Sequence, residues 1–256
     1  TVLSDAARTA IGDEEATTAL QCVFSGSGGA SDYELLGHRI EGVRRTSGKT
    51  LTVSFWAIAA TGTPKVAIVL TQAFGSGGSP SGSVATAAQI VTLSTSWARY
   101  QATFTMPTVI GKTFGTTAGT DYVELQLFLS NVAGALGQQA GTITFWGQQV
   151  EFGYFATPFE KQEFRYDFTN CQRFYQTGAA FLGVYEAAGG GQLAAYVPFA
   201  VPMRAAPTVT ITSQVLSNMS SVAPLQQTST GFLISGVATA AANTSYNVGW
   251  TATADI

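Results

Sequence analysis

The sequence predicts an all-β chain built as two antiparallel β-domains in series, and three observations carry that prediction. Short segments alternate apolar and polar residues at the two-residue period of a strand. Twenty-eight glycines, with many Thr, Ser and Ala, separate those segments and leave few long helix formers. Charged residues make up 11% of the 256, well below the roughly 25% of an ordinary globular surface. Such a surface must be covered by Thr, Ser, Gln and Gly, or by other copies of the chain.

Taken in order, residues 1–15 are polar and Ala-rich and read as a lead-in arm, with the acidic run Asp13-Glu14-Glu15. A strand is expected over 16–24, then a loop FSGSGGASD, a second strand over 33–43 and a TSGK turn. LTVSFWAIAA alternates, with Leu51, Val53, Phe55 and Ala57 on one face and Thr52, Ser54, Trp56 and Ile58 on the other. Gly62-Thr63-Pro64 breaks it, and KVAIVLTQAF makes the next strand before the loose loop GSGGSPSGS. Two strands follow around a Ser-Thr-Ser turn in QIVTLSTSWARYQATFTMP. DYVELQLFLS places Val123, Leu125, Leu127 and Leu129 inward and Tyr122, Glu124, Gln126 and Phe128 outward, and GTITFWGQQVEFG closes the domain. About eight strands in roughly 150 residues fit a two-sheet jelly roll over 1–157.

The joint spans 158–170, after Thr157-Pro158. Phe164, Phe168, Cys171 and Tyr175 fall at helical period there, although Phe164, Tyr166 and Phe168 also alternate as a strand would. That stripe would pack either between the two domains of one chain or against symmetry mates. From 171 to 256, strands are expected over 172–176, 181–185, 193–199, 208–212, 232–237 and 246–253, with Pro198, Pro202 and Pro207 at turns or edges. No segment of roughly 20–50 residues repeats, which excludes a solenoid or propeller.

Several function classes are disfavoured. A net charge of -3 gives no basic footprint for nucleic acid, and no apolar run reaches the roughly 20 residues that insert across a bilayer. The chain begins at Thr1 without a secretory signal, and we expect a longer protein around it. Cys22 and Cys171 lie in different domains and read as two free thiols. His38 is the one histidine, on a strand, and no nucleophile elbow, phosphate loop or dinucleotide fingerprint is present. Two carboxylates would suffice for glycoside cleavage, but Asp121 and Glu124 point to opposite faces of a strand; Glu124 and Glu151 are left as a pair that could share one. No enzyme, cofactor or metal is expected.

Sugar binding asks for less: an aromatic platform flanked by amides and carboxylates. With Val53 and Leu125 inward, Trp56, Tyr122, Glu124 and Gln126 face out, and Trp146 and Gln148 share one side of their strand. These six are the expected carbohydrate-binding residues. The tryptophans would serve equally as core or as contacts to a neighbouring subunit.

The run ATPFEKQ at 156–162, followed by CQRFYQ at 171–176 and preceded by the alternating TFWGQQVEFG, resembles the tail-fibre and receptor-binding proteins of tailed bacteriophages. VPFAVPMRAAPTVTI, at 197–211, resembles the C-terminal domain of such fibres, and Trp97, Arg99, Tyr100 and Phe104 resemble an edge of carbohydrate-binding jelly rolls. The resemblance implies a carbohydrate-binding-like jelly roll followed by a smaller C-terminal β-sandwich at the tip of a virion's tail fibre. It also implies a homotrimer, contacts with other phage tail proteins, and non-catalytic adhesion to host lipopolysaccharide or capsule. The loops at 186–192 and 217–230 become receptor-contact candidates. Related jelly rolls hold calcium with acids near the last strand, which here reads Thr142-Ile143-Thr144-Phe145 and has none.

Overall fold

The computed structural model describes every residue except 27, 30, 132, 133, 135, 187, 188 and 256, and of Glu186 the backbone alone. The chain divides into two compact units, Thr1–Glu160 and Lys161–Asp255. Both are antiparallel β-sandwiches, so the fold class expected from the alternation holds.

The first unit starts with a short helix α1 (Asp5–Ile11), capped by the Ser4 hydroxyl and ended by Gly12 in the left-handed region. Among the described residues, nine strands follow: β1 (Leu20–Phe24), β2 (Tyr33–Glu41), β3 (Thr50–Ala59), β4 (Lys65–Phe74), β5 (Val84–Ala85), β6 (Gln89–Thr92), β7 (Ala98–Thr105), β8 (Asp121–Asn131) and β9 (Gly141–Phe152). One sheet runs β1-β9-β3-β7 and the other β2-β8-β4-β5, with β6 also on β4. The chain crosses between the sheets at almost every connection, so each sheet is assembled from strands distant in sequence. Their inner faces meet in one core that includes Leu51, Val53 and Phe55 of β3, Ile68 and Leu70 of β4, and Val123, Leu125 and Leu127 of β8. All eight are at most 2% exposed, as the alternation requires.

The second unit opens with helix α2 (Phe164–Gln172), so of the two periods in this stretch, with a short helix expected over 161–170 or a strand, the helical one holds, though none of its residues is buried. Among the described residues, six strands follow: β10 (Tyr175–Glu186), β11 (Gln192–Pro198), β12 (Thr208–Ser217), β13 (Met219–Thr228), β14 (Gly231–Ala238) and β15 (Ala242–Thr253). They form the sheets β10-β15-β12 and β11-β14-β13. Phe199, Phe232 and Trp250 are at the centre of the core between them, with ring centroids 5.2–5.9 Å apart. The expected strand 181–185 lies within the long strand β10, whereas 172–176 is divided between the end of α2, a turn and the start of β10. The expected contact loop 217–230 is largely β13, paired to β14. Pro224 hides that strand in the sequence, and β13 tolerates it because it is an edge strand. Of the other expected contact loop, residues 187 and 188 lie outside the described residues.

Candidate functional site

On β8, alternation sends Tyr122, Glu124 and Gln126 to the outer face of the five-stranded sheet, and the register sets Arg39 of β2 and Thr71 of β4 on either side of Glu124. The side chains form one connected row. Arg39 Nε donates to Glu124 Oε1 at 3.3 Å, Gln126 Nε2 donates to Glu124 Oε2 at 2.7 Å, and Thr71 Oγ1 donates to Gln126 Oε1 at 3.0 Å. The Arg39 guanidinium also lies 4.6 Å from the centroid of the Tyr122 ring. Both carboxylate oxygens are thus in use, which holds Glu124 in one orientation. Beside them, Gly37 pairs with Gln126, and a Cβ there would stand 3.3 Å from Glu124 Oε1. The bare backbone at Gly37 leaves room for the carboxylate, whose side chain is 19% exposed.

The outer face of the four-stranded sheet is built differently. Trp56 of β3 and Trp146 of β9 are direct cross-strand partners. The N-terminal arm folds over them: Leu3, Ile11 and Ala16 are buried and pack with Trp56, Trp97 and Trp146. The arm is held by a short backbone ladder, Thr1 to Ala19 and Leu3 to Thr17, and by Arg8, which donates to the Leu3 carbonyl at 3.0 Å.

A second cover is the segment 153–160, which carries the ATPFE run. Thr52 donates to the Gly153 carbonyl at 2.9 Å, and Phe159 packs on Trp146 with centroids 5.0 Å apart. Thr157 is the clamp point. Its backbone N–H and hydroxyl both donate to the Glu151 carboxylate, Arg99 donates to its carbonyl, and Gln149 Nε2 donates to its hydroxyl. Gln149 Oε1 also accepts from the Glu160 N–H at 2.8 Å. Burial of the Glu151 carboxyl works against ionisation, but the hydrogen bonds from Thr157 and Gln149 and the Arg99 charge outweigh it, so its pKa is lowered. This cover explains why Thr52 and Ser54, outward by alternation, are fully buried.

The six expected residues are therefore not one constellation. Tyr122, Glu124 and Gln126 form the row on one outer face, whereas Trp56 and Trp146 lie under the arm and the ATPFE segment on the other. Gln148 does not follow Trp146 outward, because β9 carries a bulge at Gly147, whose φ is +61°. The extra residue reverses the parity, and Gln149 takes the outward position. Gln148 instead lines a shallow pocket of about 280 Å³ with Thr18, Ala19 and Leu20, and Trp146 reaches the same pocket. Glu124 and Glu151, left open as a pair, belong to different sheets. Arg39, Thr71 and Gly37 were not singled out from the sequence because strand pairing alone brings them to Glu124. The clamp that Gln149, Arg99 and Glu151 make on Thr157 was not legible either, because only the bulge at Gly147 turns Gln149 and Glu151 outward.

His38 is exposed on β2. Among the described residues, no group of three His, Cys, Asp or Glu side chains is placed to hold a metal ion, and no helix is long and apolar enough to cross a membrane.

No protein-family model matches the chain, and no curated protein matches it. Among solved structures, wild-type discoidin II from Dictyostelium discoideum is similar at 7% identity and a TM-score of 0.26, over 88% of this chain and 75% of that one. A likeness of that size carries no argument about either fold or function.

Proposed function

We propose that the chain is the distal part of a phage tail fibre, a non-catalytic adhesin that binds host surface polysaccharide through the outer face of its jelly roll. The observation that carries the reading is the row Arg39, Glu124, Gln126 and Thr71 beside the Tyr122 ring. A sugar presents hydroxyls to fixed carboxylate and amide groups and an apolar face to a ring, and this row offers both without rearrangement. The phage assignment comes from the likeness of ATPFEKQ, CQRFYQ and VPFAVPMRAAPTVTI to tail-fibre sequences. Assembly as a homotrimer on other tail proteins would multiply individually weak contacts.

A second reading, a structural module that only holds virion subunits together, draws on the exposed apolar side chains of the second unit. Phe164 is 79% exposed, and Phe181, Tyr185 and Val215 at least 70%. The two readings separate in one experiment. Labelled full-length chain is added to whole cells of candidate hosts, with Tyr122→Ala and Gly37→Leu compared with wild type and light scattering reporting assembly. Adhesion supports the first reading if both variants lose it with assembly unchanged. Assembly without adhesion to any host supports the second.

A further inference from the structure

The second unit contains a pocket of about 390 Å³ to which the CQRFYQ run contributes Gln172, Tyr175 and Gln176. Its walls include Phe168, Gln172, Tyr175, Thr177, Ala200 and Trp250. Gln176 supports it from within. That side chain is 5% exposed, and its Nε2 donates to the carbonyls of Gln172 and Val201 at 3.0 and 2.8 Å, while its Oε1 accepts from the Ala200 N–H at 2.9 Å. The end of α2 and the segment after β11 are thereby fixed against each other, so the pocket is formed in advance.

Three of the wall residues are aromatic, and three have polar groups with no hydrogen-bond partner among the described residues. The indole Nε1 of Trp250 is unpaired, but it is sealed against Gly178 and out of a ligand's reach. The Gln172 amide and the Tyr175 hydroxyl make no hydrogen bond either. No charged side chain is among the described walls.

We infer that this pocket binds one uncharged pyranose unit of a glycan, at a second sugar site separate from the jelly-roll face. Phe168 and Tyr175, each 51% exposed, offer ring faces to the apolar side of the sugar. The Gln172 amide and the Tyr175 hydroxyl supply donors and acceptors for its hydroxyls. The volume lies within the range of about 300–1,000 Å³ of small-molecule sites and suits one ring. The absence of charge on the walls selects against uronic and sialic acids, whose carboxylates would lose hydration without gaining a partner.

The test uses the full chain and saturation-transfer NMR with millimolar methyl glycosides of glucose, galactose and mannose, and methyl glucuronide as the charged comparison. At least one neutral glycoside binds, and the glucuronide binds more weakly. Tyr175→Ala and Ala200→Trp, the latter filling the pocket from an exposed position, each weaken binding about fivefold or more. A signal lost in Tyr122→Ala but kept in both pocket variants belongs to the jelly-roll face instead, so failure of this site and failure of the jelly-roll site are told apart. If Ala200→Trp does not fold, Tyr175→Ala decides. The inference is overturned if no neutral glycoside binds, if neither pocket variant weakens binding, or if the glucuronide binds as well. A change in oligomeric state on Ala200→Trp with glycoside binding intact would also overturn it, since the pocket would then be a contact between copies.

Discussion

Trp56 and Trp146 stand opposite each other across the β3–β9 ladder, and both are covered from outside by chain segments that bracket the jelly roll. Their role is to seat those segments. Trp146→Ala therefore lowers the stability of the protein, by about 2 kcal/mol because the side chain is half-buried and not fully so. Urea unfolding checks the figure. A loss below about 0.5 kcal/mol would mean that the arm and the ATPFE segment do not depend on the ring.

The bulge at Gly147 gives a sharper expectation. An added Cβ would meet Trp56 and Phe159 at ordinary contact distances of 3.5 and 3.6 Å, so space is available. The positive φ is the obstacle, and Gly147→Ala should cost about 1 kcal/mol in denaturant unfolding. An unchanged midpoint would contradict the left-handed conformation.

Glu151 makes the clamp on Thr157 sensitive to acid. Its folded pKa is lowered, so the stability it contributes is present above the ordinary carboxylate pKa of about 4.3 and is lost as pH falls through the lower folded value. Proteolysis within 153–160 should accelerate on acidification in that window. In Glu151→Gln, cleavage should already be faster at neutral pH and should depend less on pH. A wild-type cleavage rate that is flat from pH 6 to pH 3, under an acid-tolerant protease, would remove Glu151 from the clamp.

Both cysteines are free, but they differ in reach. Cys171 is exposed on α2, whereas Cys22 is half-buried on β1 and burial pushes its thiol pKa up. A thiol reagent at pH 8 should modify Cys171 quickly and Cys22 slowly, with two thiols titrated per denatured chain. Equal rates in the native protein would contradict the packing of β1.

The strands were legible wherever one face meets the core. Alternation located β3, β4, β8 and β9 to within a residue or two, because burial on one side imposes a strict period. The helical stripe from Phe164 was also visible. Strand pairing was not, since Tyr122 and Trp56 have similar local patterns and only the crossovers put them on opposite faces. Nor was the parity change at Gly147, which reverses every assignment after it on β9. The arm looked like solvent-exposed chain because its three buried residues, Leu3, Ile11 and Ala16, are spaced too irregularly to form a face.

The outer face around Tyr122 bears the central claim. Envelope polysaccharide from a bacterium to which the chain adheres can be titrated by calorimetry into wild type, Tyr122→Ala and Trp146→Phe. The account predicts that Tyr122→Ala weakens binding about tenfold while Trp146→Phe, which keeps the packing, matches wild type. Equal affinity for Tyr122→Ala and wild type, or a loss confined to Trp146→Phe, would contradict it.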